Sequence, residues 1–308
     1  MDRLVSIIIP FFNEAGMIAR LPEALWPKLD KIEGVSFEII CTDDGSSDTT
    51  LPELIALTKQ DPRFRVLELS RHFGKEAALT AGLDAARGDA VIPMDADLQD
   101  PPEMIAPMLA AWANGAEVVL ARRSDRSSDG VLKRKSASWF YQLHNRLSET
   151  KIPENVGDFR LMDRAVVEAL KQLPERQRFM KGLFAWVGFR TEIIDYVRPC
   201  RLAGKSKFSG LALWQLAMEG FTSFSTIPLK VWTYIGAAGA LGTFCYAVFI
   251  VLYTLMHGTG VPGYASLLVA ILFFGSLQLM SIGLLGEYIG RIYLETKQRP
   301  TYLIRKTY

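Results

Sequence analysis

From Val231 to Gly286 the chain contains no Asp, Glu, Lys or Arg. Leu, Ile, Val, Phe, Ala and Gly dominate that stretch. A hydrocarbon core is crossed by about 20 apolar residues per helix, so the run has room for two spans and a turn. His257-Gly-Thr-Gly-Val-Pro-Gly263 supplies the helix breakers for that turn. The competing reading is a buried helical hairpin in a soluble core, but soluble helices rarely lack charge on every face for so long. Lys230 precedes the first span, and Arg291, Lys297, Arg299, Arg305 and Lys306 follow the second; the loop between has neither Lys nor Arg. The positive-inside rule then puts both flanks, and everything before them, on the cytoplasmic side of a plasma (inner) membrane.

The residues before this stretch have a different rhythm. Short apolar runs at Val5–Ile9, Phe37–Cys41, Arg65–Leu69, Ala90–Pro93 and Glu117–Ala121 read as strands. Helical patterns fall between them, near Ala15–Leu29, Thr49–Gln60, Lys75–Ala86 and Pro102–Asn114. The segment Leu4–Phe12 is too short and too poorly flanked for a signal peptide and reads as a buried strand. Strand and helix in alternation predict an α/β, Rossmann-like fold with a mostly parallel sheet, which binds ligands beyond the carboxyl ends of its strands. After Ala121 the periodicity weakens. Ser209–Thr226 reads as an amphipathic helix rich in Trp, Phe, Leu and Met that lies in the membrane interface. The expected organisation is therefore a catalytic domain over 1–208, an interfacial helix over 209–229, a two-span hairpin over 230–290 and a cytoplasmic tail over 291–308.

Charge is divided along the chain. Residues 1–119 carry about ten more acidic than basic groups, and 120–210 about nine more basic than acidic. The acidic part suits metal and nucleotide chemistry, and the basic part suits anionic lipid head groups or a phosphate substrate. Nucleic acid is discounted as a partner, because no nucleic-acid motif accompanies the basic stretch. Cys41, Cys200 and Cys245 are far apart and odd in number, which gives neither a metal spacing nor a disulfide framework.

Three polar clusters follow the first, second and fourth expected strands: Pro10-Phe-Phe-Asn-Glu14, Asp43-Asp-Gly-Ser-Ser-Asp48 and Asp95-Ala-Asp-Leu-Gln-Asp100. If those strands are parallel, all three clusters share one edge, which favours a site over three separate helix caps. Two carboxylates one residue apart, Asp95 and Asp97, call for a cation. Mg²⁺ or Mn²⁺ would neutralise them and hold diphosphate oxygens, with the Gln99 carbonyl in reach. Asp43 and Asp44 would lie near a base or ribose, Phe12 would stack on the base, and Glu14 would bond its edge or the ribose. Arg71-His-Phe-Gly-Lys75 brings cations to the same edge. Asp158, in Gly157-Asp-Phe-Arg160, lies where the pattern reads as loop and is by itself a turn residue. Arg122, Arg123, Lys133, Arg134, Lys205 and Lys207 are the basic candidates for a phosphate.

Together these segments resemble the polyprenyl-phosphate glycosyltransferases of the GT-A fold in glycosyltransferase family 2, which include dolichol-phosphate mannose synthases and bacterial bactoprenol glucosyltransferases. The resemblance runs from residue 4 to about 210 through the clusters above. It also rests on Pro101-Pro-Glu103, Arg178-Phe-Met-Lys-Gly182 and Arg201-Leu-Ala-Gly-Lys-Ser-Lys-Phe208, and two C-terminal spans match its bacterial branch. It departs at two positions: Phe12 stands for the usual Tyr, and His72 where Asn is frequent.

The resemblance implies that Pro10, Phe12, Glu14 and Asp44 hold the nucleoside, together with Asp43, Lys75 and Asp95 in the nucleotide-sugar site. It implies metal ligation by Asp95, Asp97 and Gln99, and a catalytic-site carboxylate at Asp158. Arg122, Arg134, Lys205 and Lys207 would approach the acceptor phosphate and donor diphosphate. The implied reaction is an inverting, metal-dependent displacement from a nucleotide sugar onto polyprenyl phosphate, with UDP-glucose the first expected donor, ahead of UDP-linked amino sugars and GDP-mannose. A processive synthase would carry Gln-x-x-Arg-Trp and more spans, and neither is present. A non-catalytic scaffold or lipid-flipping partner is the reading from another class; decay would have eroded the acidic clusters, which are intact. The small residues of Gly236-Ala-Ala-Gly-Ala-Leu-Gly242 permit close helix packing and so self-association.

Overall fold

The computed structural model describes residues 3–124, 156–176, 178, 180–196, 227–257 and 263–308. The expected Ser209–Thr226 helix, Arg134, Lys205 and Lys207 lie outside the described residues. The chain divides into two compact units, residues 1–220 with 299–308, and residues 221–298.

The first unit is built on an eight-stranded sheet of order β7-β5-β6-β4-β1-β2-β3-β8. Its strands are β1 (Arg3–Phe11), β2 (Val35–Asp43), β3 (Phe64–Leu69), β4 (Ala90–Pro93), β5 (Val118–Arg123), β6 (Val156–Asp163), β7 (Thr191–Tyr196) and β8 (Ile304–Thr307). The helices are α1 (Ala15–Ile18), α2 (Leu21–Leu29), α3 (Thr50–Gln60), α4 (Lys75–Ala85), α5 (Ile105–Ala113), α6 (Arg164–Lys171) and α7 (Met180–Trp186). Four strand pairs are parallel, β1–β2, β1–β4, β2–β3 and β5–β7, whereas β6 runs antiparallel to β4 and β5, and β8 antiparallel to β3.

Side chains alternate across each strand. On β1, Val5, Ile7, Ile9 and Phe11 enter a core shared with Leu21, Leu25 and Leu29 of α2, Leu54 of α3, and Ile105 and Met108 of α5. Ile8 points to the other face, against Gly82 of α4. The sheet is thus covered on both sides, which explains why its central strands read as continuous apolar runs. The single helix expected over Ala15–Leu29 is two, because Pro22 has no N–H to continue the first ladder and instead opens the second.

The second unit consists of two long helices, α8 (Ile227–His257, 31 residues) and α9 (Tyr264–Thr296, 33 residues), which meet where Gly239 lies against Phe274. Exposed apolar side chains concentrate here, among them Leu241, Leu255, Met256 and Leu279. Among the described residues no helix is long and apolar enough to cross a membrane.

The expected tail is a correction. Residues 304–307 form β8 on the edge of the first unit's sheet, where Tyr308 exchanges backbone hydrogen bonds with Val66 and Ser70 donates to the Leu303 carbonyl. Tyr308 Oη donates to Glu68 (2.9 Å) and Arg305 pairs with it (3.2 Å).

Candidate active site

Parallel pairing brings the ends of β1, β2, β3 and β4 together. Phe11 lies opposite Asp43 and Ile8 opposite Pro93, so the segments 10–14, 43–48, 71–75 and 95–100 line one edge. The loops interlock there. Asn13 N–H donates to Ser46 Oγ (3.0 Å), Ser47 N–H to Asn13 Oδ1 (2.8 Å) and Glu14 N–H to Thr50 Oγ1 (2.9 Å).

Asp44, expected at the nucleoside, organises the neighbouring loop. Its carboxylate accepts the N–H groups of Phe73 (2.7 Å) and Gly74 (2.9 Å) and lies 2.8 Å from His72 Nδ1. Gly45 is required by the same close approach: it sits at φ +70°, and a Cβ there would come within 2.6 Å of Arg71 C and His72 N. Asp43 is different. It is buried, one oxygen accepts Ser46 N–H (3.2 Å), and the other has no hydrogen-bond partner among the described residues. Burial raises its pKa, outweighing the Ser46 hydrogen bond. A buried acceptor without a donor is costly, and it suits a ligand N–H or O–H.

The two positions that depart from the family pattern meet each other. Phe12 and His72 are stacked with ring centroids 4.0 Å apart and planes 25° apart. One face of Phe12 is therefore taken by protein, and the ring remains 37% exposed. Pro10 stands on β1 opposite Thr42.

The Asp95–Asp100 turn is tied from within. Asp100, buried, accepts the Asp95 N–H (3.4 Å) on one oxygen and the Tyr196 hydroxyl (3.3 Å) on the other. Asp97 accepts the Gln99 N–H (3.2 Å), and Gln99 itself is buried. Leu98 is held at φ +52°, a conformation uncommon for a side chain with a Cβ. Among the described residues no three His, Cys, Asp or Glu side chains gather as a metal cage. Asp95 and Asp97 still fit a hard divalent ion of the kind held by one or two carboxylates plus substrate phosphates.

Lys75, the first residue of α4, joins the two halves of the site. Its Nζ is 2.6 Å from Asp95 and 2.7 Å from Asp158. Asp158 is on β6, which corrects its reading as a turn residue. The alternating pattern of β6 was hidden because its site face carries Asp158 and Arg160 instead of apolar residues. Burial opposes ionisation of Asp158, but Lys75, Lys181 and Arg160 outweigh it and hold its pKa down to about 2. Burial likewise opposes the charge on Lys75, and Asp158 and Asp95 push its pKa above the usual lysine range. Glu76, next along α4, goes the other way: burial, then the nearby Asp158, raise its pKa to about 7, against the pull of Lys75.

Arg122, expected at the phosphate, is engaged elsewhere. It forms a fork with Asp195 of β7 (2.6 and 2.9 Å), an exposed pair. Glu76, Asp100, Arg160 and Lys181 had no assigned role in the sequence; the segment Arg178–Gly182 was the available sign for Lys181. Burial lowers the pKa of Arg160 to about 10 against the support of Asp158.

Comparison with known proteins agrees with this architecture. The family model for glycosyl transferase family 2 matches residues 6–171, and that for the GtrB C-terminal hairpin matches residues 227–292. The SfII prophage-derived bactoprenol glucosyl transferase of Shigella flexneri is 54% identical over 304 residues, covering 99% of this chain and 98% of the relative. The prophage bactoprenol glucosyl transferase homolog of Escherichia coli K12 is 52% identical over 302 residues, 98% of each chain. Among solved structures, glucosyl-3-phosphoglycerate synthase from Mycobacterium tuberculosis, crystallised with Mn²⁺, UDP and phosphoglyceric acid, gives a TM-score of 0.50 at 20% identity, over 71% of this chain and 76% of that one. The latter likeness concerns the fold. With its catalytic half and its C-terminal helices both matched, the chain belongs to glycosyl transferase family 2 and is a glycosyltransferase of the type that carries the GtrB hairpin.

Proposed function

We propose that the protein transfers glucose from UDP-glucose to polyprenyl phosphate, at the cytoplasmic face of a membrane that α8 and α9 cross. The observation that carries the reading is the Lys75 bridge, which sets the Asp95 cluster beside Asp158. The relatives' names supply the acceptor class and the sugar. The Asp43 oxygen that lacks a partner among the described residues suits the ring N–H of a uracil base. The absence of Asp, Glu, Lys and Arg from 231 to 286 and the bare apolar side chains of the long helices support the two spans.

Asp95 and Asp97 would hold Mg²⁺ or Mn²⁺ with the donor's diphosphate, and the ion would supply charge neutralisation to the departing nucleotide. The chain's own residues do the rest. A phosphate monoester with a second pKa of about 6 is mostly dianionic at neutral pH and attacks without a strong base. A carboxylate held near pKa 2 is a poor base at that pH. Asp158 therefore orients the sugar or the acceptor as a permanent hydrogen-bond acceptor, and Lys75 offsets its charge so that an anion can approach.

Radiolabelled sugar from a panel of nucleotide sugars, offered with undecaprenyl phosphate in detergent, tests the reading. Label enters the lipid from UDP-glucose when Mg²⁺ or Mn²⁺ is present, and an Asp97→Ala variant fails to transfer. Equal results from parent and variant, with no labelled lipid from any donor, would point instead to a scaffold or lipid-flipping partner.

A further inference from the structure

Residues two apart on a strand share a face, so Arg160 stands on the same side of β6 as Asp158. Beside it lies a pocket of about 180 Å³ lined by Val118, Leu120, Arg160, Lys181, Phe184 and Phe189. Its chemistry is mixed in a specific way. Arg160 is 5% exposed, with its guanidinium 4.1 Å over the Phe184 ring, and it donates to the Gly157 carbonyl (2.7 Å) and weakly to that of Asp158 (3.4 Å). Among the described residues no carboxylate pairs with it at salt-bridge distance. Lys181 has no hydrogen bond or ion pair among them either. Asp158 acts on both cations from a distance, but its carboxylate is already engaged by Lys75 at 2.7 Å, so the buried Arg160 and half-buried Lys181 leave positive charge on one small pocket that favours an anion. The rest of the wall is hydrocarbon and aromatic. An anion whose next atoms are apolar fits both parts.

Position decides which substrate this is. The segments assigned to the nucleotide sugar follow β1, β2, β3 and β4, whereas the pocket lies along β5, β6 and β7, beyond Asp158. Its rim also holds one strained residue, Phe189 at φ +72°, which is unusual for a bulky side chain and is the kind of outlier that concentrates at ligand sites. We infer that this pocket receives the phosphate and first carbons of the acceptor lipid, with Lys181 touching the phosphate and Arg160 fixed behind it as a second positive charge. The assignment rests on the transferase reading above.

The test uses the full-length chain in detergent with Lys181→Ala and Lys181→Arg. One charged hydrogen bond is worth about tenfold in binding, so Lys181→Ala should raise the acceptor KM about tenfold and leave the donor KM within about twofold. Lys181→Arg should restore most of the loss. Calorimetry without donor gives a second readout: the parent binds farnesyl phosphate, Lys181→Ala binds it about tenfold more weakly, and farnesol binds to neither. A rise in donor KM alone would reassign Lys181 to the donor diphosphate and overturn the inference, as would unchanged constants. Inorganic phosphate competing as well as farnesyl phosphate would make this a plain anion site and refute the lipid assignment. Lysine-dependent binding of farnesyl phosphate by a chain that glycosylates no lipid would sink the proposed reaction and leave the pocket standing; transfer indifferent to Lys181 would do the reverse.

Discussion

Asp158 and Glu76 are two carboxyls that both feel the Lys75 ammonium, yet their pKa values move in opposite directions. Asp158 is kept ionised by Lys75 and Lys181 and acts by positioning, so Asp158→Asn should lower transfer by about 10²-fold, with a smaller change in donor affinity. Steady-state rates beside nucleotide-sugar titration check this, and near-parental turnover would remove any role for the carboxylate. Glu76 is raised from 4.5 to about 7 by burial and by Asp158. Between those values the folded protein keeps a proton that the unfolded chain has released, so this group's contribution to stability is full below about 4.5 and is lost as pH rises through about 7. Glu76→Gln should thus gain melting temperature relative to the parent as pH climbs through that window; parallel curves would refute it. At this scale the sequence was partly legible. Asp95, Asp97, Asp43 and Lys75 announce themselves by clustering after strands. Asp158 does not, since a lone carboxylate in a strand with charged neighbours has no pattern, and its importance comes from Lys75, which is remote in sequence.

At the scale of elements, the loop 71–75 is held by the turn 43–46 through Asp44 and through the space that Gly45 leaves open. Gly45→Ala forces a Cβ against Arg71 and His72 and a side chain into φ +70°, so it should cost about 1–3 kcal/mol and weaken donor binding more than acceptor binding. Thermal denaturation and the two KM values decide; an unchanged melting temperature would mean that the loop yields. On the far edge of the sheet, Tyr308→Phe takes a donor from the buried Glu68 and should lower stability by about 1 kcal/mol in denaturant titration. The strands β1 to β5 were readable because both faces of the central sheet are covered and their runs are apolar. The later ones were not: β6 carries charge on its site face, and β7 and β8 are largely exposed and show no alternation.

For the whole molecule, the sheet and the long-helix hairpin are interleaved in sequence. The first unit takes its last strand from residues beyond the second. A fragment ending at residue 226 lacks β8 and leaves the β3 edge unpaired. It should aggregate and melt lower than the same fragment rejoined to residues 299–308 by a Gly/Ser linker; equal melting temperatures would show that β8 adds nothing. The charge asymmetry and the uncharged run disclosed a two-part chain from the sequence. What they concealed was this return, because four exposed residues at a sheet edge carry no apolar signature. Its meaning is clearest during synthesis. A ribosome delivers β8 only after both long helices have been made, so until then the β3 edge is an open template for pairing. A chain arrested within the hairpin therefore still carries an unpaired β3 edge, the kind of surface through which strands pair wrongly with other chains.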